Sequence, residues 1–214
     1  MDRPSGRCVI RLGADAGAGA GAGASASTDA DRIPLNRRPM GERVREGMRI
    51  EQRILQQLRE SGMHLTAPTH TEDAYAKVDA WWHTTDVSNG PVVQKGIQVK
   101  YRETGDDILF EVYKDWTRKI PGRDLVGTAD YYMTVDRTGR GYLVCVEELK
   151  GKVHAALASI DQHGWTDSER SHFVDRAAGI DIKIRADAYH GQQKCIAYVR
   201  PRSLHIVQEW AHLL

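Results

Sequence analysis

The apolar residues of this chain change period near residue 75, and that change limits the folds open to it. Over 41–60, Val44, Met48, Ile50, Ile54, Leu55 and Leu58 recur at helical spacing. That spacing predicts an amphipathic helix, with Gly62 as its stop. From residue 75 onward the apolar positions fall in short runs rich in β-branched and aromatic residues. These predict strands over 75–82, 92–102, 108–114, 129–135, 142–146 and 195–199. Glu103-Thr104-Gly105-Asp106-Asp107 has the composition of a hairpin turn, and Asp136-Arg137-Thr138-Gly139-Arg140-Gly141 that of a second turn. Helices are expected again over 147–160, over a short stretch at 169–178, and over 204–214. The succession predicts an α/β fold with a mixed central β-sheet flanked by helices.

Residues 12–31 are dominated by Gly, Ala, Ser and Asp, with a Gly-Ala alternation over 16–24. Such a segment has little apolar surface to offset its chain entropy. Residues 1–38 are therefore expected to be a flexible, disordered Gly/Ala-rich tail, and 39–214 a single domain. An extra strand at Cys8-Val9-Ile10 is the alternative for the tail. Thirty Lys and Arg stand against 29 Asp and Glu, so the total charge announces no nucleic-acid binder, and local charge must meet any anionic partner. Cys8, Cys145 and Cys195 form no C-x-x-C pair, which disfavours a zinc knuckle or disulfide framework and favours a reducing, cytoplasmic setting. No apolar run reaches bilayer-spanning length, so no membrane is expected. Arg3 and Arg7 are not followed by the apolar stretch of a signal peptide.

The chemistry-bearing residues lie in the strand region. Asp79 sits in Lys77-Val78-Asp79-Ala80-Trp81-Trp82, and Gln98-Val99-Lys100 follows on the next predicted strand. Gln98 and Lys100 are two apart and share a face, while Val99 points to the core. Adjacent strands can thus gather a carboxylate, an amide oxygen and an ammonium around one point. Such a set can hold a hard divalent cation, which takes few protein oxygens and keeps several waters. A phosphodiester resists attack because it is anionic and its leaving alkoxide is poor. A cation answers both difficulties, and Lys100 would orient the attacking water or offset charge in the transition state. Glu51 lies on the helix beside the apolar stripe. Alone, Asp79 would be a strand-end cap and Glu51 a solvated helix residue; Asp79 with Gln98 and Lys100 favours the functional reading.

Tyr101 and Arg102, directly after Lys100, either contact DNA or simply continue the strand, and Arg102 is read as a DNA contact. Lys114, Trp116, Arg118, Lys119 and Arg123 make a basic, aromatic loop suited to phosphate contacts. On charge alone a solvated connector fits that loop equally well, but its position directly after the strands of Asp79 and Lys100 favours DNA binding; Arg37-Arg38 is more simply solvated. Glu111 is either a further acid near the site or an exposed alternating residue. Asp130 is read as structural, pairing with an amide, and one of Trp81 and Trp82 should face the core. His64, His70 and His83 have no metal-ligand spacing and are read as surface residues.

A helical acid, an Asp at a strand, then Q-x-K on the neighbouring strand resembles the PD-(D/E)XK nuclease superfamily. The Q-x-K form is similar to that of some modification-dependent restriction endonucleases. The helical Glu51 is similar to that of Holliday-junction resolvases and related phage nucleases. Ile108-Leu109-Phe110-Glu111 and Gly127-Thr128-Ala129-Asp130-Tyr131-Tyr132 resemble later elements of a phage-type branch, so the likeness runs over about 42–150. It implies a restriction-endonuclease-like core in which Glu51, Asp79 and Gln98 hold Mg²⁺ (or Mn²⁺) and Lys100 assists water. It also implies a DNA endonuclease of phage or bacterial DNA processing, acting in recombination and resolution, repair or degradation. The setting would be the host cytoplasm if phage-encoded, and a homodimer would cut both strands. Gln98 departs from the usual carboxylate and removes one negative charge, which Glu51 would restore. The alternative is a catalytically inactive relative that binds DNA or a protein.

Overall fold

The computed structural model describes residues 39–85, 91–163, 172–186 and 192–214; the expected tail, Arg37-Arg38 and the alternative strand at Cys8-Val9-Ile10 lie outside them. The order is α1 (Met40–Glu60), β1 (Leu65–Thr66), β2 (Ala80–Thr85), β3 (Val92–Arg102), β4 (Ile108–Asp115), β5 (Ile120–Pro121), α2 (Arg123–Val126), β6 (Tyr131–Asp136), β7 (Gly141–Cys145), α3 (Val146–His163), β8 (His172–Asp175), β9 (Ile180–Ala186), β10 (Gln193–Val199) and β11 (Ile206–Trp210). Sheet A runs β1-β2-β3-β6-β7-β11 and sheet B runs β5-β4-β10-β9-β8. Among the described residues only the β3–β6 pairing is parallel, so sheet A is mixed and sheet B antiparallel. The fold is α/β, as expected, but with two sheets rather than one.

Alternation along β3 and β6 divides two cores. Ile97, Val99, Tyr131 and Met133 turn to one face of sheet A and pack with Ile54 and Leu58 of α1 and with Leu213. Tyr132 and Val144 turn to the other face and join α3 and the inner face of sheet B, including Ile108, Phe110, Ile182 and Ala197. As expected of adjacent strand residues, Trp82 is buried and Trp81 half-buried. The first half of α1 leaves Met40, Val44 and Met48 exposed, so the buried part of its apolar stripe is its second half.

Several expectations are corrected. The strand expected over 75–82 starts at Ala80; a π-helical turn, Glu72–Ala76, precedes it. Its start is set by reciprocal bonds between Thr69 and Glu72, with Thr69 N donating to Glu72 Oε2 at 2.7 Å and Glu72 N to Thr69 Oγ1 at 3.3 Å. The expected hairpin at residues 103–107 instead carries the chain between sheets. β3 is flanked by β2 and β6, and β4 pairs with β10 and β5. The expected loop through Lys114 and Arg123 contains β5 and the start of α2.

The segment expected as a helix over 169–178 holds β8, whose side chains alternate in burial, and the segment over 204–214 holds β11 on the edge of sheet A. In both, strand pairing overrides weak helical periodicity.

Candidate active site

β2 pairs with β3 only from Ala80↔Ile97 to Thr85↔Val92. β3 continues to Arg102, so beyond Ile97 its edge on that side has no further β2 residue. Asp79 fills this notch. Its backbone N donates to Ile97 O at 2.8 Å, and its Oδ2 accepts from Val99 N at 2.6 Å. One carboxylate oxygen thus extends the ladder past its last backbone pair. The capping role and the site position coexist on a single residue, because the carboxylate has two oxygens.

Four residues named from sequence meet here. Ala80 pairs with Ile97, so Asp79 stands opposite Gln98, which is 5 % exposed. Among the described residues none hydrogen-bonds the side-chain amide of Gln98. Lys100 follows on the same face, half-buried. Glu51 comes from α1, on the helix stripe that carries Ile54 and Leu58 against the sheet. Its carboxyl is pushed up to about 7, first by burial, then by the Asp79 charge, with Lys100 opposing and Asp73 adding to the rise. Asp79 is itself raised, first by burial, with the Val99 bond and Lys100 opposing and Asp73 again raising it. Glu51 thus feels the charges of Asp79, Lys100 and Asp73, which places it near all three.

Two acids escaped the sequence reading. Asp73, on the π-helical turn, bears on both Glu51 and Asp79; the Thr69–Glu72 capping pattern was the available signal for that turn. Asp124 is the second residue of α2 and is buried. Its Oδ2 accepts from Glu111 N at 2.7 Å, and its Oδ1, with no hydrogen-bond partner among the described residues, lies 3.8 Å from Lys100 Nζ. Burial raises its carboxyl, with Lys100 opposing. α2 reaches β4 because Gly122 lies against Glu111: a Cβ there would stand 2.2 Å from the Glu111 carbonyl oxygen. Tyr132 completes this wall, its hydroxyl donating to Leu109 O at 2.7 Å. Lys100 is therefore set between a mouth of Glu51 and Asp79 and a buried anchor, Asp124.

The proposed DNA contacts are less uniform. Arg102 lies two residues past Lys100, its guanidinium 5.6 Å from the Tyr198 ring centroid. Arg118 pairs with Asp115 at 3.8 Å. Lys119 lies over the Trp116 ring, 2.9 Å from its centroid, and burial lowers its pKa. Lys114 and Arg123 are exposed. Glu111 turns to the half-exposed face of sheet B, where its Oε2 accepts from Arg123 N at 3.1 Å and its Oε1 lies 3.6 Å from Lys194. Asp130 takes the Gly96 amide at 2.7 Å and Lys95 at 3.7 Å. His83 accepts or donates to Thr66 at 2.8 Å and lies against His64.

A cleft of about 460 Å³ lies along 126–131, lined in part by Lys95, Asp130 and Lys150, and includes none of Glu51, Asp79, Gln98 or Lys100. No helix among the described residues is long and apolar enough to cross a membrane. No protein-family model, curated protein or solved structure matches this chain.

Proposed function

We propose that this chain is a metal-dependent nuclease of the PD-(D/E)XK type in its Q-x-K form, hydrolysing DNA phosphodiester bonds. The observation that carries the reading is the convergence of Glu51, Asp79 and Lys100 from three elements on the notch just before β2 begins. Purely structural acids gain nothing from sitting together half-buried; burial first raises the carboxyl groups of both Glu51 and Asp79, and the Asp79 charge raises Glu51 further.

The donor set fits a hard cation in part. Among the described residues no three of His, Cys, Asp and Glu stand close enough to form a ready-made metal site. Mg²⁺ needs only one or two carboxylates beside its waters, however. Glu51, the free Asp79 oxygen and the Gln98 amide oxygen are the residues that would hold it. A bound Mg²⁺ or Mn²⁺ would screen the phosphate charge and ease deprotonation of the attacking water. Asp124 holds the Lys100 ammonium toward the mouth. Lys100 orients the water and offsets charge as it builds on the phosphoryl oxygens. Arg102, Lys114 and Arg123 contact the DNA backbone, and phage or bacterial DNA processing is the proposed setting.

The test is incubation of the full chain with linear, circular, single-stranded and four-way-junction DNA in Mg²⁺ or Mn²⁺. Cleavage that stops with a chelator and falls about 10²-fold or more in Lys100→Ala is expected. No cleavage of any substrate with either metal would refute it. A second reading, an inactive DNA-binding relative, is favoured by neutral Gln98 and by the Asp79 oxygen committed to Val99. It predicts DNA binding without cleavage.

A further inference from the structure

The outer face of sheet B carries a ring of cations around one aromatic side chain. Tyr198 on β10 stands between Leu109 of β4 and Asp181 of β9. Arg102, Lys183 and Arg185 surround its ring, at 5.6, 5.0 and 5.5 Å from the centroid. Tyr198 and Lys183 are half-buried and Arg185 is exposed. Lys194 stands opposite Arg185 on the same face.

Acids only partly offset these charges. Asp181 takes Lys183 at 2.9 Å and His172 at 2.7 Å. Asp107, its carboxyl raised first by burial, feels Arg102 and Arg200. Arg185 has no carboxylate within ion-pair distance among the described residues. Several cations crowded about one ring repel one another, and the ring faces return only about 0.5–1 kcal/mol each at exposed sites. An anion carrying a flat apolar group would relieve the repulsion and cover the ring. A nucleic-acid strand with an unpaired base has both parts, and exposed aromatics set among cations are how proteins grip such strands.

The position suits that partner. Arg102 joins the platform to the proposed active site: it shares a face of β3 with Lys100, roughly 7 Å along the strand.

We infer that Tyr198, with Arg102, Lys183 and Arg185, is a stacking platform that grips an unpaired stretch of DNA beside Lys100. This rests on the nuclease reading for the nature of the substrate and not for the binding itself. A base stacks on Tyr198, and its flanking phosphates lie against Lys183 and Arg185.

The experiment is fluorescence anisotropy of a labelled oligothymidine with the full chain in chelator, which separates binding from cleavage. Tyr198→Ala should weaken binding about tenfold, while Tyr198→Phe keeps the ring and binds like wild type. Arg185→Ala, at an exposed position, should reduce the slope of log affinity against log salt by about 0.7. Wild-type binding in both Tyr198→Ala and Arg185→Ala would overturn the platform and leave the nuclease reading standing. Displacement by polyglutamate as readily as by unlabelled oligothymidine, indifferent to Tyr198, would also overturn it, since the face would then be a general polyanion or acidic-protein surface. Tyr198-dependent binding with no cleavage under any metal would support the platform and refute the nuclease.

Discussion

Among single residues, Lys100 has two kinds of neighbour. Asp124 anchors it from the buried side, while Glu51 and Asp79 share the mouth with it. Asp124→Asn keeps the shape and still accepts the Glu111 amide, but removes the counter-charge of Lys100. Cleavage should fall about tenfold with little loss of thermal stability. The double variant with Lys100→Ala should be no slower than Lys100→Ala alone, because both act through one group. Additive losses in that cycle would place Asp124 outside the site.

Glu51 makes a pH statement. Its folded pKa, about 7, exceeds the unfolded value near 4.5. Between these values the folded state binds more protons, so stability contributed by the neutral carboxyl is complete below about 4.5 and is lost as pH rises through about 7. Glu51→Gln should flatten that decline, gaining on wild type in urea unfolding at about pH 8 and not at about pH 4. An unchanged pH profile would show that Glu51 is solvated.

The core triplet was legible because its spacing is local: period two sets Gln98 and Lys100 on one face, and the chemistry of a carboxylate beside them is distinctive. Asp124 and Asp73 were not legible, because their relation to Lys100 and Glu51 depends on how α2 and the 72–76 turn pack.

At the scale of elements, α1, β3, β4, β6, β7 and α3 follow the apolar periodicity closely. The errors share a cause. Whether two consecutive strands form a hairpin is decided by which neighbours each finds, and β3 finds β6 while β4 finds β10. The strand β9 had a readable signal in the strict alternation Ile180-Asp181-Ile182-Lys183-Ile184-Arg185, hidden in a region dominated by polar residues. The same alternation builds the cationic face.

Two close approaches test the element packing. Gly122→Ala would drive a methyl into the Glu111 backbone, so a loss of about 1–3 kcal/mol in chemical denaturation is expected, with reduced cleavage as Asp124 shifts. Leu213, 2 % exposed, closes the α1-side core, and its backbone N donates to Gly139 O at 2.8 Å. Leu213→Ala should cost about 2–4 kcal/mol, which would show that the β11 end belongs to the core. A near-neutral result would contradict that placement.

At the scale of the molecule, sheet A separates α1 from the core of α3 and sheet B, and the early end of β2 opens a notch between them. Helix, ladder end and strand all deliver charge to that notch, while sheet B presents its cations beside it. A net charge of only +1 conceals this local distribution. In the proposed nuclease, Glu51, Asp79 and Lys100 act as one site. The most direct measurement is the rate of plasmid nicking in Mg²⁺ by wild type, Asp79→Asn, Lys100→Met and their double variant, each checked for native thermal unfolding. One shared site predicts that each single change removes about 10²-fold or more of the rate and that the pair together removes little beyond either alone. Wild-type nicking in folded Asp79→Asn and Lys100→Met proteins would contradict it.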